Sequence, residues 1–167
     1  MVKHVYGDLL EGDVDIIAHQ VNCQGVMGSG VARQIRAAYP GVFRMYRKVC
    51  TDHKNVFSTT SQMLGMNQYV HVSYNKRPFV VANLFAQDHY GRDGRPYTDY
   101  NALRQCLLGL RRYVTEVLPT GARIGMPYKI GCGRGGGDWE NVVYPCIVEI
   151  FDGMDLTLFE YREEGDC

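Results

Sequence analysis

Six short apolar segments recur along the chain and predict a β-sheet. Each is at most eight residues long, rich in β-branched side chains and bounded by Gly, Asp, Asn or Pro, which is the pattern of buried strands. The segments cover residues 2–6, 14–21, 69–74, 79–85, 123–130 and 155–161. We therefore expect six strands that belong to one sheet.

A helical stripe of apolar residues separates the fourth and fifth segments. The stripe begins with Thr98 as the N-cap and ends at Pro119 and Gly121. Its apolar residues recur with the spacing of one helix face, at Leu103, Cys106, Leu107, Leu110, Tyr113, Val114 and Val117. The pattern predicts an amphipathic helix that packs against the sheet.

Two further helices are expected where glycine-rich loops end. One begins after Gly30 and stops at Pro40–Gly41, and the other follows Asp138 and bends at Pro145. Strands that alternate with helices imply crossover connections, which make neighbouring strands parallel and cover both faces of the sheet. We predict one α/β domain over residues 1–167, a three-layer α/β/α sandwich around a mixed, mostly parallel sheet.

Composition excludes several classes of function. Eighteen Lys and Arg residues balance eighteen Asp and Glu residues among 167, so no basic field exists to drive nonspecific binding to nucleic acid. The chain lacks the run of about 20 apolar residues that spans a bilayer, and its first residues lack the apolar run of a signal peptide. We therefore expect a cytoplasmic protein with no membrane partner.

The six cysteines are scattered and show neither a Cys-x-x-Cys motif nor the Cys/His spacing of a zinc site. A chain of this size can bury a core without disulfide bonds. We therefore expect no metal and reduced thiols at Cys23, Cys50, Cys106, Cys132, Cys146 and Cys167.

Two glycine-rich loops, residues 22–30 and 130–138, each join a predicted strand to a predicted helix. The backbone N–H groups of such loops can approach a phosphate closely, and ligands bind at the carboxyl ends of parallel strands. Two such loops on one sheet suit a diphosphate held from both sides, although either loop could be a flexible connection. The second loop contains Gly-x-Gly-x-x-Gly, but a Rossmann fingerprint opens a βαβ unit, whereas this loop lies about 30 residues from the C-terminus.

Four sequence blocks together resemble the macrodomain family of ADP-ribose-binding modules. They are Gly7-Asp8-Leu9, the stretch from His19 to Ala32, Met126 to Gly133, and Asp138-Trp139-Glu140-Asn141. Each block is short, but their order and spacing are specific. The blocks are most similar to a subgroup that contains glycohydrolases of ADP-ribosylated protein and DNA and ADP-ribose 1″-phosphate phosphatases.

The resemblance implies a ligand-binding role for many residues. Asp8 would accept a hydrogen bond from the adenine amino group beside the backbone of Leu9, Tyr161 would pack on the adenine, and Asn22 would bind the distal ribose. The loops along the diphosphate and distal ribose would be formed by Met27, Gly28, Ser29, Gly30 and Val31, and opposite them by Ile130, Gly131, Cys132, Gly133, Arg134, Gly135 and Gly136.

Simpler structural roles compete with some of these assignments. Asp8 could be a turn residue at a strand end, and Tyr161 could be a strand aromatic that packs on the core. Trp139, the single tryptophan, is expected to be a buried anchor of the last helix rather than a ligand contact.

The resemblance is incomplete at the positions that carry catalysis in the family. The lysine of the lysine-dependent glycohydrolases falls on Gln87, their aspartate falls near Gly135, and the aspartate of the other catalytic class falls on Ala32. Glutamine cannot form a Schiff base, and neither glycine nor alanine can move a proton. The lysine mechanism would therefore require a neighbour such as Lys129 to substitute.

Three residues remain as catalytic candidates: His19, Asn22 and Asp138. His19 could act as a general base, since a histidine at this strand position has a catalytic part in the phosphatase relatives, or it could be a neutral core histidine bonded to a backbone carbonyl. Asp138 could instead be a helix N-cap.

The polar loop 88–97 is expected to lie over the distal-ribose end, where its arginines could meet a phosphate or an acidic substrate, or to be a solvated loop. The sequence thus predicts a module that binds ADP-ribose or an ADP-ribosylated substrate and hydrolyses a group on the distal ribose, without a cofactor. A non-catalytic reader of ADP-ribose and a domain that shares only the fold are the alternatives.

Overall fold

The computed structural model describes residues 1–75 and 77–162, and its centre is a six-stranded sheet. The strands are β1 Lys3–Tyr6, β2 Ile16–Asn22, β3 Asn67–Tyr74, β4 Arg77–Gln87, β5 Ile124–Pro127 and β6 Leu156–Glu160. Their order across the sheet is β1-β6-β5-β2-β4-β3. Only the edge strand β3 runs antiparallel to its neighbour, which confirms the mixed, mostly parallel sheet.

Within the described residues, four α-helices accompany the sheet: α1 Gly30–Ala38, α2 Pro40–Phe57, α3 Tyr100–Glu116 and α4 Tyr144–Ile150. The sequence pattern does not predict α2, because Pro40–Gly41 is a local signal for the end of a helix. Pro40 instead lies in the first turn of α2, where a proline leaves no intrahelical hydrogen bond unmade. Val42, Tyr46 and Cys50 form the buried face of this helix.

The starts of α3 and α4 also differ from expectation. The N-cap of α3 is Asp99, not Thr98, and its carboxylate accepts the Ala102 N–H at 2.9 Å. The chain does not bend within one last helix at Pro145. A π-helical turn, Trp139–Val143, comes first, and Pro145 lies in the first turn of α4, where its missing N–H needs no partner.

Both faces of the sheet are covered by helices, which confirms the three-layer α/β/α sandwich. Successive residues of a strand point to opposite faces. Ile16 packs in a cluster that includes residues of α3 and α4, and Ile17 packs in one that includes residues of α1 and α2. Trp139 is 6% exposed and belongs to the first cluster, as expected for a buried anchor. None of the helices in the described part of the chain has the length and apolar character that crossing a membrane requires.

The parallel strands decide where a ligand can bind. All five end at the same edge of the sheet, so that the residues after β1, β6, β5, β2 and β4 follow one another along that edge. β1 and β2 are three strand positions apart, which corresponds to about 14 Å at the usual spacing of about 4.8 Å.

Candidate ligand-binding cleft

A cleft of about 420 Å³ opens at the carboxyl edge of the sheet. Residues 28–32 line one side and residues of the loop 130–135 line the other, and the ends of β2 and β4 also line the cleft. The two glycine loops face each other because β2 and β5 are neighbours in the sheet. The structure therefore brings together the two loops that the sequence analysis singled out.

Asn22 shapes the first glycine loop through its side-chain amide. Its Oδ1 accepts the Gln24 N–H at 2.9 Å and the Tyr46 hydroxyl at 2.8 Å, and its Nδ2 donates to the Val26 carbonyl at 2.7 Å. The Tyr46 hydroxyl also lies 2.7 Å from the backbone oxygen of Asn22. Asn22 lines the cleft and at the same time fixes the path of the loop, which its expected role at a ribose did not include.

The first loop leads into the N-terminus of α1. Ser29 is the N-cap residue, but its side chain makes no capping hydrogen bond, and the first-turn N–H groups of a helix have no intrahelical acceptor. Such a helix end carries a partial positive charge, which favours a bound anion. Met27 was expected along the diphosphate, but its side chain is 1% exposed and packs in the core beneath the loop.

The second loop requires glycine where it approaches β2. Gly131 has a φ of 73°, and a Cβ added there would lie 2.6 Å from Gln20 Oε1. The Thr98 hydroxyl donates to the Gly131 carbonyl at 2.7 Å, and the backbone N–H groups of Tyr97 and Thr98 donate to the Gly135 carbonyl. The loop is therefore held close to Gln20 and to the segment that precedes α3.

The charged residues that line the cleft are all cations. They are Arg92, Lys129 and Arg134, and none of them has an ion-pair partner within the described part of the chain. Among the described residues no carboxylate lines the cleft. The cleft is thus locally positive although the whole chain has a net charge of zero.

His19 lines the cleft, but its side chain is almost completely buried. The side chain is 1% exposed, and its Nε2 is 2.6 Å from Asn83 Oδ1. Burial lowers the pKa of His19 to about 4, which the bond to Asn83 only partly opposes. The imidazole is therefore neutral near pH 7, and its partner is a side-chain amide rather than the expected backbone carbonyl. This environment favours the core histidine over the general base.

Asp138 and Cys132 do not line the cleft. Asp138 caps the π-helical turn, because its carboxylate accepts the Asn141 N–H at 3.0 Å, and the bonds from Asn141 lower the pKa of this carboxyl. The Cys132 thiol lies 3.4 Å from the Ile130 carbonyl, and burial raises its pKa to about 11. The geometry thus supports neither the catalytic role expected for Asp138 nor a ligand contact by the Cys132 thiol.

Three residues were expected at the adenine: Asp8, Leu9 and Tyr161. They follow the strands β1 and β6, and none of them lines the cleft. Asp8 caps a short 3₁₀ turn, because its Oδ1 accepts the Leu10 N–H at 2.9 Å. Leu9 is buried in the core, whereas Tyr161 is 59% exposed after β6. The structure gives Asp8 the structural role that competed with ligand binding, and the adenine contacts stay a prediction.

Gln87 and the loop 88–97 form one end of the cleft. Gln87 Oε1 accepts from Gln20 Nε2 at 2.8 Å, and Gln87 Nε2 donates to the His89 carbonyl at 3.0 Å. At the position of the family's catalytic lysine, both the oxygen and the nitrogen of the Gln87 side-chain amide are thus already hydrogen-bonded. Tyr90 and Arg92 of the loop line the cleft beside it. The loop therefore borders the cleft, and its expected place over the distal ribose stays a prediction.

Three residues that organise the cleft were missed by sequence reasoning: Gln20, Tyr46 and Thr98. Gln20 Nε2 donates to the Thr98 hydroxyl at 2.8 Å, which links β2 to the second loop. Tyr46 belongs to α2, which the sequence pattern does not predict. Gln20 lies in one of the blocks that resemble the macrodomain family, and this was the only signal that could have identified it.

The described cysteines are all unpaired thiols, and Cys167 lies outside the described residues. Within residues 1–75 and 77–162, no three His, Cys, Asp or Glu side chains form a group that could hold a metal ion.

Comparison with known proteins identifies the family. The Macro domain family model matches residues 18–146. A Mycobacterium tuberculosis protein named DNA ADP-ribosyl glycohydrolase is 31% identical over 171 residues, which cover 99% of this chain and 43% of the relative. A protein of Lodderomyces elongisporus named ADP-ribose 1″-phosphate phosphatase is 28% identical over 166 residues, which cover 95% of this chain and 97% of the relative.

The solved structures agree with the family match. The macrodomain of Mycobacterium tuberculosis DarG superimposes with a TM-score of 0.78 at 27% identity and covers 98% of this chain and 99% of its own. The chain spans less than half the length of the glycohydrolase relative. The family model matches residues 18–146, which include both glycine loops of the cleft. This chain therefore belongs to the macrodomain family.

Proposed function

We propose that this chain binds ADP-ribose in the cleft and hydrolyses the bond between the distal ribose and an attached group. One observation carries the binding: the two glycine loops face each other across a cleft whose charged lining residues are all cations. Backbone N–H groups, the N-terminus of α1 and the side chains of Lys129 and Arg134 can together compensate a diphosphate.

The order of the strands supports an orientation for the ligand. The diphosphate would lie between the two loops, after β2 and β5. The adenosine would extend toward Asp8 and Tyr161, after β1 and β6, which lie in the direction away from β4. The distal ribose would then lie toward Gln87 and Arg92, at the end of the cleft that the loop 88–97 borders.

Hydrolysis is supported by the names of the two relatives, a glycohydrolase and a phosphatase. In a glycohydrolase reaction, the oxygen of water adds to the anomeric carbon, the bond to the attached group breaks, and one proton of the water ends on the leaving group. The side-chain amides of Asn22 and Gln87 would orient the water. The diphosphate of the ligand would accept a proton, since no carboxylate among the described residues lines the cleft.

The second candidate function is a non-catalytic module that only binds ADP-ribose, a reader. The residues that line the cleft favour this function as well. Gln87 stands at the lysine position and is bonded on both sides, His19 is buried, and Ala32 and Gly135 replace the two aspartates. A cleft that has glutamine at the position of the catalytic lysine, and whose histidine is buried, can bind a ligand without converting it.

Calorimetry and turnover assays separate these functions. We expect ADP-ribose to bind more tightly than AMP, and Arg134→Gln to weaken ADP-ribose binding, whereas Arg112→Gln on the exposed face of α3 leaves it unchanged. Turnover of ADP-ribose 1″-phosphate, or of mono-ADP-ribosylated protein or DNA, would establish the hydrolase. Binding without any turnover would establish the reader, and no binding of ADP-ribose would refute both.

A further inference from the structure

A second cavity, of about 530 Å³, adjoins the cleft at the loop 88–97. Tyr90 lines both spaces, so the second cavity meets the cleft at the end where the distal ribose is proposed to lie. An antiparallel bridge between Gln87 and Thr98 closes the base of the loop. The proposed function makes no use of this cavity.

The charge of the second cavity is opposite to that of the cleft. Asp88 and Asp99 both line it, and neither has an Arg or Lys partner within the described residues. Arg95 lines it too, but its Nε is 2.6 Å from Asp93 Oδ2, so that its charge is already compensated.

Each of the two carboxylates keeps one oxygen without a hydrogen-bond donor among the described residues. Asp88 Oδ1 accepts from Thr60 and Gln24, while Asp88 Oδ2 lies 3.7 Å from His89 Nε2, beyond hydrogen-bond distance. Asp99 Oδ1 accepts the Ala102 N–H, and its Oδ2 has no donor. Two residues that line the cavity therefore each keep a carboxylate oxygen that has no hydrogen-bond donor among the described residues.

We propose that this cavity binds the guanidinium of an arginine side chain whose nitrogen carries the ADP-ribose, so that the substrate is arginine-linked mono-ADP-ribosylated protein. This inference rests on the proposed function of the cleft. A guanidinium is planar and carries several N–H donors, so it can donate to Asp88 and Asp99 at the same time, and it can stack on the ring of Tyr90. The ring of Tyr97 already has the Arg95 guanidinium carbon 5.9 Å from its centroid. Hydrolysis would break the carbon–nitrogen bond, add the water oxygen to the anomeric carbon and leave the water proton on the guanidine nitrogen.

An ADP-ribosylated nucleic acid fits the cavity less well. The amino edge of a base could donate to Asp88 or Asp99, but the phosphates on both sides of that base would approach two uncompensated carboxylates. A protein arginine brings a positive charge to the same position. The charge of the cavity therefore favours the guanidinium.

Two charge-neutralising variants test the subsite without removing its structural bonds. Asp88→Asn keeps an oxygen that can accept from Thr60 and Gln24, and Asp99→Asn keeps a good helix N-cap. Asp52→Asn, at an exposed i,i+4 ion pair with Lys48 on α2, is the matched control. Competition against a fluorescent ADP-ribose probe measures binding of an arginine-linked ADP-ribosylated peptide, an ADP-ribosylated DNA oligonucleotide and free ADP-ribose.

We expect the arginine-linked peptide to bind wild type about 10-fold more tightly than free ADP-ribose, the effect of one charge-assisted hydrogen bond. Each subsite variant should lose most of this advantage while it binds free ADP-ribose as before, and Asp52→Asn should keep it. Tighter binding of the DNA, or an advantage that survives in both variants, would overturn the subsite. If free ADP-ribose does not bind wild type, the proposed function itself has failed.

Discussion

His19 shows how strongly a single side chain depends on its neighbours in the sheet. Its Nε2 is 2.6 Å from Asn83 Oδ1, and Asn83 Nδ2 donates to Gln68 Oε1 at 3.0 Å, which forms a polar ladder across β2, β4 and β3. Because the Asn83 nitrogen is directed to Gln68, its oxygen faces His19, and this assigns the proton of the neutral ring to Nε2. His19 Nδ1 is left buried without a partner among the described residues.

The depressed pKa of His19 predicts a pH dependence of stability. The unfolded chain binds a proton at this residue below pH 6.5, whereas the folded chain does so only below about 4. Between these values the free energy of unfolding should fall as the pH falls, by up to about 1.4 kcal/mol per pH unit from this residue. Urea denaturation at several pH values should show a shallower dependence for His19→Gln and an unchanged one for His71→Gln, at an exposed position of β3. Equal slopes for wild type and His19→Gln would contradict this account.

At the scale of elements, the first glycine loop depends on a helix that does not border the cleft. Tyr46 is fully buried on α2, and its hydroxyl reaches both the backbone and the side chain of Asn22. α2 thus holds the loop in the path that presents the N-terminus of α1 to a ligand.

Removing the Tyr46 hydroxyl should therefore loosen the loop. We expect Tyr46→Phe to lower the free energy of unfolding by about 1 kcal/mol, the usual net contribution of a hydrogen bond, and to weaken ADP-ribose binding several-fold. Tyr113→Phe is the control, because the Tyr113 hydroxyl is buried without a partner in the described structure and its loss should cost no stability. Thermal unfolding and calorimetry of both variants measure the effects, and equal behaviour of the two would argue against the role given to α2.

At the scale of the whole molecule, a neutral chain separates its charges. The cleft carries Arg92, Lys129 and Arg134, while the adjoining cavity carries Asp88 and Asp99. The net charge of the chain therefore does not predict which ligands these two sites attract, since a ligand a few ångströms away interacts mainly with the nearest charged side chains.

Salt should weaken ADP-ribose binding even though the chain has no net charge. The cations of the cleft are at its surface, where ions screen their attraction to the diphosphate, with a Debye length of about 8 Å at physiological ionic strength. Calorimetry over a series of NaCl concentrations should show a several-fold loss of affinity. Arg92→Gln and Arg134→Gln should each flatten this dependence, and Arg112→Gln should not. An affinity that does not change with salt would mean that backbone N–H groups alone hold the ligand.

Much of the fold and the two loops that border the cleft could be predicted because they depend on local patterns. β-branched runs between turn residues identified all six strands, and glycine at residues 22–30 and 130–138 identified both loops. The helix α2 was missed because Pro40–Gly41 is a local signal for the end of a helix, and only packing against the sheet makes Pro40 the first turn of the next one.

The sequence by itself determined the class of fold, the two loops and the family, since periodicity, turn residues and motif order are properties of the chain. Tertiary structure decided which polar groups are free. Asp8, Asn22, Gln87 and Asp138 are all polar residues near the expected site, yet each is bonded to a partner that is fixed by the local fold. Whether a side chain can act on a ligand depends on its burial and on the hydrogen bonds it already makes, and both arise only when distant segments pack together.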